Sequence, residues 1–291
     1  SMLTLGAATI ERIVDMDPFR LPLAMIFPDA SLEELEDARA WLEPHSLDFA
    51  AGEVLLGVQS HLLRIGGLTI LVDTCVGECK PRPKRPDWHE RQDTGYLDRL
   101  AAAGVRPEEG DVGMCTHLHA DHAGWNTRLE NGRWVPTFPN ARYVMGRAEL
   151  DHWTAEEARA PGEANHGTFA DSVKPVVEAG LAEPVDEGFE LTAGLSLIAL
   201  PGHTPGQMGL SLKHPGGTAI FCGDALHSPV QLRKPDWSSA FCSDPVQAAL
   251  TRRAMLEQAE GTGGMILPVH LRGATGFRPE RVGDHWRPVY L

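Results

Sequence analysis

The 291-residue sequence lacks an excess of basic residues. Lysine and arginine total 26, against 40 aspartate and glutamate residues, so the formal net charge is −14. Proteins that hold nucleic acid or an anionic membrane through electrostatic attraction need clustered positive charge. The charge balance therefore disfavours both kinds of partner.

Long apolar runs and paired cysteines are also missing. No run approaches the roughly 18 residues of a membrane-spanning helix, and the longest candidates are short stretches such as Leu195 to Leu200. The N-terminus has neither the basic start nor the apolar stretch of a secretory signal. Five cysteines without a C-x-x-C pair fit reduced thiols. We therefore expect a cytoplasmic protein, with a periplasmic location left open if a signal was removed.

Motifs of several common enzyme classes are absent as well. The sequence contains no G-x-S-x-G nucleophile elbow, no Walker loop and no H-E-x-x-H helix. Hydrophobic residues make up 42% of the chain and charged residues 23%, which is close to the average for globular proteins. The sequence thus predicts a packed domain whose chemistry lies in other motifs.

Apolar periodicity predicts strands and helices that mix throughout the chain, as in an α/β or α+β layered fold. Gly66-Gly67 between two strands favours a tight hairpin. Ser31 and Glu34 form a capping-box pattern that predicts a helix to about Trp41. The Pro- and Arg-rich stretch 76–93 predicts an exposed loop. Further strands are predicted at 8–14, 55–65, 68–74, 112–115, 142–145, 195–200, 208–212, 218–221 and 265–269, and further helices at 95–103, 147–159 and 245–260.

The strongest chemical signal is an H-x-H-x-D-H motif that follows the predicted strand 112–115. It consists of His117, His119, Asp121 and His122. Imidazole and carboxylate groups are ligands of borderline divalent metals such as zinc. In an extended segment His117 and His119 point the same way and can reach one ion, while Asp121 and His122 can face a second ion.

Three later predicted strands also end in polar residues. His203 lies in the loop G-H-T-P-G after strand 195–200, Asp224 follows strand 218–221, and His270 follows strand 265–269. Taken singly, each is more typical of a turn or of a satisfied buried histidine. Together with the first motif they form a candidate ligand set.

This ordered set resembles the motifs of metallo-β-lactamase-fold hydrolases over about residues 55–270, and Ile70–Thr74 fits the V-D-T segment of that family. The resemblance implies a four-layer αββα sandwich with two divalent metal ions at one edge. Zn²⁺ is the expected metal, with Mn, Fe or Co left open. Asp73 is expected to orient a ligand histidine. The resemblance assigns His117, His119 and His203 to one ion, Asp121, His122 and His270 to the other, and Asp224 to both.

The family resemblance also implies a reaction, in which a bridging hydroxide attacks a carbonyl or phosphoryl group. Within the family the chain is most similar to acyl-homoserine lactonases and the methyl parathion hydrolase group, which implies a small neutral or apolar lactone, ester or phosphotriester substrate. Those lactonases often carry tyrosine three residues after the bridging aspartate, where this chain has His227. His227 is therefore a candidate catalytic residue beside Asp121 and Asp224, and a surface loop histidine is the alternative.

Two other functions stay open from the sequence: a glyoxalase II-like thioester hydrolase, and a metal-binding sensor without turnover. Because the candidate ligands from 117 to 270 must meet at one place, we expect a single domain over residues 1–291. Residues 1–50 are expected to form an N-terminal arm. Its apolar stretch Phe19–Phe27 could wall a pocket, cover the site or form the interface of a homodimer.

Overall fold

The computed structural model describes residues 2–291, and this part of the chain forms seventeen strands. In chain order they are β1 (Leu3–Leu5), β2 (Ala8–Pro22), β3 (Leu47–Asp48), β4 (Glu53–Ile65), β5 (Leu68–Val72), β6 (Val112–Met114), β7 (Thr127–Glu130), β8 (Arg133–Pro136), β9 (Arg142–Gly146), β10 (Ala182–Val185), β11 (Glu190–Thr192), β12 (Leu195–Ala199), β13 (Met208–His214), β14 (Gly217–Phe221), β15 (Met265–Leu267), β16 (Phe277–Val282) and β17 (His285–Tyr290).

Helices of very different length connect these strands. The α-helices are α1 (Leu23–Ile26), α2 (Arg39–Leu42), α3 (Tyr96–Ala102), α4 (Arg147–Arg159), α5 (Lys174–Glu178), α6 (Val230–Arg233) and α7 (Pro245–Thr262). Short 3₁₀ helices lie at Glu33–Ala38, Pro107–Glu109, Gly124–Asn126, Ala164–Gly167 and Gly223–Ala225, and a π-helical turn lies at Phe169–Val173. No helix among residues 2–291 combines the length and the apolar character needed to cross a membrane.

Two large sheets carry the fold. The first has the strand order β1-β2-β4-β5-β6-β9-β10, with β3 paired to β4, and the second runs from β11 to β17 in sequence order. Strands β5, β6 and β9 are parallel neighbours, as are β14 and β15. Parallel neighbours end at the same edge of a sheet, so the loops after β5 and β6 meet, as do those after β14 and β15.

Three apolar clusters define four layers. One cluster lies between the sheets and joins Ile70 and Val112 of the first sheet to Leu197 and Leu210 of the second. A second cluster covers the outer face of the first sheet and includes Leu100 of α3. The third packs α7 against the outer face of the second sheet. The αββα sandwich expected from the sequence is confirmed.

Most predicted elements are present, and two differences have clear causes. The hairpin at Gly66-Gly67 is confirmed: both glycines have positive φ (58° and 77°), and Ile65 pairs with Leu68. The first predicted strand, which is β2, continues to Pro22 instead of ending at Val14, because irregularities in the pairing let Phe19–Pro22 rejoin β4. The predicted helix from Ser31 is mostly the 3₁₀ helix Glu33–Ala38, and Ser31 does not cap it.

The prediction of an exposed loop at 76–93 is confirmed only in part. Residues 76–93 do lack regular secondary structure, but Val76, Lys80 and Arg82 are fully buried. Arg82 forms a bidentate ion pair with Asp171, in the π-helical turn far along the chain. A long-range partner of this kind leaves no trace in the local sequence. The segment 80–85 is therefore anchored to the fold by Lys80 and Arg82, while Pro81, Pro83 and Lys84 are exposed.

Candidate metal centre

The H-x-H-x-D-H motif lies in the loop that follows β6. Cys115 donates its backbone N–H to Val144 O, and the His122 N–H closes the loop onto His119 O at 3.0 Å. Gly124 then packs directly against the loop that follows β5. A Cβ at this position would lie 2.0 Å from the carbonyl carbon of Val76, so no other residue fits without moving the backbone.

The other candidate ligands come from the second sheet. Asp224 follows β14 and His270 follows β15, and the parallel pairing of these strands places both at one edge. His203 lies between β12 and β13. The sandwich brings this edge against the loops after β5 and β6. Residues separated by about 150 positions in the chain thereby meet.

Asp224 lies at the centre of the cluster. Its Oδ2 is 3.0 Å from His122 Nε2, 3.2 Å from His203 Nε2 and 3.4 Å from His117 Nε2. Its Oδ1 is 3.1 Å from His270 Nε2. The carboxyl group is almost completely buried, and with His227 included it faces five imidazoles.

Around Asp224 the candidate ligand atoms form two groups, and within each group all of these atoms lie within 4.8 Å of one another. The His203 set contains His117, His119 and His203, and His119 Nδ1 lies 3.0 Å from His203 Nε2. The His270 set contains Asp121, His122 and His270. Asp121 Oδ2 lies 3.3 Å from His270 Nε2. Asp224 belongs to both groups.

The residues present fit two divalent cations. His117 Nε2 and Asp224 Oδ1 are buried and, although atoms of the cluster lie 3.4 and 3.1 Å away, neither forms a hydrogen bond of regular geometry, which is costly unless another group contacts them. Each set offers nitrogen and oxygen donors, the ligand types that zinc and its neighbours accept. The donor chemistry and the unpartnered atoms agree with the expected ligand residues.

Burial and the Asp224 carboxylate shift the pKa values of the imidazoles in opposite directions. Burial lowers the pKa of His117 and His119, the latter to about 3, so both rings are neutral with a free lone pair. In three other rings burial also lowers the pKa, but Asp224 outweighs it together with Asp121, Asp73 or Cys242. The three rings are His203, raised to about 9, His122, raised, and His270, raised to about 10. A cation that binds here displaces protons.

Groups outside the two ligand sets orient the histidine rings by contacting the ring nitrogen that faces away from Asp224. We call these groups outer partners. Asp73 accepts from His122 Nδ1 at 2.9 Å and from the Thr116 backbone N–H at 2.7 Å, as the V-D-T segment led us to expect. Gly57 O lies 2.7 Å from His270 Nδ1. The corresponding partner of His203 Nδ1 is the Cys242 thiol at 3.4 Å. Such contacts fix which nitrogen of a ring points inward.

His227 lies inside the site and is buried, so the alternative of a surface loop histidine was wrong. Its Nε2 is 3.4 Å from Asp224 Oδ2 and 3.5 Å from Ser239 Oγ. Its backbone N–H donates to Gln231 Oε1 at 2.6 Å. Its Nδ1 is buried without a partner, and the ring lines the cavity beside the cluster.

Sequence reasoning missed Glu149, which joins the two ligand loops. This buried carboxylate in the first turn of α4 accepts from Leu118 N at 3.0 Å and from Gly206 N at 3.2 Å. It also accepts from Trp153 Nε1 at 2.8 Å. An acid in a first helical turn is ordinary in sequence, so no local signal could have identified it.

A cavity of about 240 Å³ opens onto the cluster. Phe19, Leu21 and Ile26 of the N-terminal segment form part of its wall. Of the tryptophans, Trp88 and Trp153 line the cavity, whereas Trp286 is buried in the core beside α7.

The amino-acid sequence is similar to those of several N-acyl homoserine lactonases. N-acyl homoserine lactonase AttM of Azorhizobium caulinodans is 23% identical over 188 residues, which is 62% of this chain and 65% of the relative. N-acyl homoserine lactonase AiiB of Agrobacterium fabrum is 24% identical over 236 residues, 74% of this chain and 79% of the relative. The chain matches between 46% and 65% of the length of the first AttM relatives.

Two solved structures share the fold over the whole chain. The hydrolase AbOPH of the beta-lactamase superfamily superposes with a TM-score of 0.80 at 23% identity and covers 100% of this chain and 97% of that one. AidC, a dizinc quorum-quenching lactonase, gives 0.81 at 18% identity with the same coverage.

A family model described as the metallo-beta-lactamase superfamily matches residues 54–270. The match covers most of the chain and includes every candidate ligand from His117 to His270. The chain belongs to the metallo-β-lactamase superfamily.

Proposed function

We propose that this protein is a dinuclear metal-dependent hydrolase of small lactones or esters, with Zn²⁺ as the expected metal. The observation that carries the proposal is the pair of donor sets that share Asp224 and open onto a largely apolar cavity. Relatives that are N-acyl homoserine lactonases support the reaction class.

Two bound divalent ions would supply a Lewis acid for the carbonyl oxygen and a lowered pKa for water. The chain's own residues then have distinct tasks. Asp224 holds both ligand sets together, and Asp121 completes the His270 set. Burial lowers the pKa of His227 to about 4, so the neutral ring, which lines the cavity, acts as a hydrogen-bond donor to the leaving oxygen.

The cavity walls restrict the substrate to a small molecule. A volume of about 240 Å³ lies just below the roughly 300–1,000 Å³ that is typical of small-molecule sites. Apolar side chains form most of the wall and exclude water from the reacting group. They are Phe19, Leu21, Ile26, Leu56, Trp88, Trp153 and Phe241. We propose that residues 1–50 work as a wall of the site within one domain.

The test is a metal assay combined with a hydrolysis panel of lactones, aryl esters, thioesters and phosphotriesters. We expect about two metal equivalents per chain and fastest turnover on a lactone or ester. His227→Ala should lower turnover with both metals retained. Fastest turnover on a thioester would favour the glyoxalase II-like alternative. Two bound metals without hydrolysis of any substrate would favour a sensor.

A further inference from the structure

One short segment is strongly basic although the chain is acidic. Residues 80–85 contain Lys80, Arg82, Lys84 and Arg85. Two of these cations fasten the segment to the fold. Arg82 donates to both oxygens of Asp171, at 2.7 and 2.9 Å. Lys80 is buried beneath the ring of Trp134 at 3.9 Å, and burial lowers its pKa to about 7.

Arg85 differs from its neighbours because it lines the cavity above the metal centre. Its backbone is held on both sides: its N–H donates to Arg82 O at 2.9 Å, and its carbonyl accepts from Trp88 N at 2.9 Å. Pro83 and Pro86 flank it and restrict the chain further. The backbone at Arg85 is therefore held by the fold itself.

The guanidinium of Arg85 lies between two aromatic rings. Its Cζ is 5.7 Å from the ring centre of Trp88 and 5.5 Å from that of Phe241. Among residues 2–291 it has no ion pair and no side-chain hydrogen bond. Aromatic contacts stabilise the cation but leave its N–H edge free to donate.

No other lysine or arginine lines this cavity. The histidines and the two acids there are the candidate metal ligands, His166 and His227, and the rest of the wall is mostly apolar. A guanidinium with a free N–H edge in such surroundings recognises a carboxylate, to which it can donate two parallel hydrogen bonds.

We propose that Arg85 binds a carboxylate of the substrate, so that the proposed hydrolase acts on small esters or lactones that carry an acidic group. This inference rests on the proposed function and differs from the neutral substrate expected from the sequence. The −14 net charge of the chain disfavours the binding of anions in general. Arg85 places a positive charge in the cavity wall and favours an anion at that one position.

Binding to the zinc-loaded protein tests the inference without turnover. Hexanoate and hexanedioate have equal chain length and differ in the distal carboxylate. We expect calorimetry to show hexanedioate binding about tenfold or more tightly than hexanoate. Arg85→Gln should abolish the difference, and Arg85→Lys should retain part of it. The monoamide of hexanedioic acid should bind like hexanoate.

Lys84→Gln is the matched control, because it removes the same charge from the adjacent residue, which does not line this cavity. It should keep the preference for hexanedioate. Equal binding of the two acids by the unmodified protein would overturn the proposal. So would a preference that survives in Arg85→Gln or an amide that binds as tightly as the diacid.

Kinetics separate failure of this inference from failure of the proposed function. With methyl hexanoate and monomethyl hexanedioate, Arg85→Gln should lower kcat/KM about tenfold or more for the acidic ester and leave the neutral ester unchanged. Equal effects on both esters would contradict the role of Arg85 while the hydrolase stands. No hydrolysis of either ester would contradict the hydrolase, and the calorimetric comparison would still test Arg85.

Discussion

The two ligand sets around Asp224 are supported by different outer partners. In the His270 set, His122 contacts the Asp73 carboxylate at 2.9 Å and His270 contacts the Gly57 carbonyl at 2.7 Å. In the His203 set, the partners are the Thr116 hydroxyl at 3.0 Å and the Cys242 thiol at 3.4 Å. A carboxylate or carbonyl makes the opposite ring nitrogen a stronger ligand than a thiol does.

If the proposed dinuclear centre forms, this difference predicts two metal positions of unequal affinity. We expect the His270 set to hold its ion more tightly, and the His203 set to lose its ion first. Asp73 contacts His122 directly but reaches His117 only through the Thr116 hydroxyl. Three substitutions change these groups in turn: Asp224→Asn the shared carboxylate, Asp73→Asn the stronger outer partner, and Cys242→Ala the weaker one.

Asp224→Asn should have the largest effect, because one carboxylate serves both sets. We expect metal content to fall from about two to below one per chain. Hydrolysis should fall by more than the roughly 10- to 100-fold that is usual for loss of an outer partner. Elemental analysis and initial rates measure the two effects. Asp186→Asn is the control, since Asp186 is exposed and pairs only with Arg147. Two retained ions in Asp224→Asn would show that the sets do not depend on it.

Asp73→Asn should weaken the His270 set selectively. Asp73 has a φ of 62°, a conformation that asparagine tolerates, so the backbone should be preserved. The amide cannot accept from His122 as strongly as the carboxylate does. We expect metal affinity to fall roughly 10- to 100-fold at one of two positions. A two-step zinc titration would measure this, and equal weakening of both steps would contradict the selectivity.

Cys242→Ala should have the smallest effect and should act on the His203 set. The thiol is a weak hydrogen-bonding partner of His203 Nδ1. We expect less than a tenfold loss of affinity, confined to the weaker step of the zinc titration. Cys242→Ser, which keeps a hydroxyl near the ring, should restore part of it. An effect of Cys242→Ala larger than that of Asp73→Asn would reverse the proposed order of the two sets.

Local motifs and long-range contacts were not equally predictable from the sequence. The H-x-H-x-D-H motif and the Gly66-Gly67 hairpin depend on residues close in the chain. The structure contains the hairpin and places all four motif residues in the candidate ligand sets. Similarity to a known family supplied the pairing of distant ligands such as His203 with the first motif. Glu149 and Arg85 carried no sequence signal, because their roles arise from packing between segments far apart.

Other differences concern one segment whose composition is compatible with both exposed and buried structure, and two hairpins that were not predicted. Proline and arginine in 76–93 resemble a solvated loop, yet Arg82 is buried against Asp171. Asn131-Gly132 is a strong hairpin signal, and it does form the turn between β7 and β8, but its short strands were missed. The final hairpin of β16 and β17 was missed as well.

The central claim is that Asp224 joins two metal positions of unequal strength. Anomalous diffraction from crystals of the zinc-loaded protein, collected before and after partial chelation, tests it most directly. We predict two zinc peaks flanking Asp224, with the peak at His117, His119 and His203 lost first and the peak at Asp121, His122 and His270 retained. A single peak before chelation, or loss of the His270-set peak first, would contradict the account.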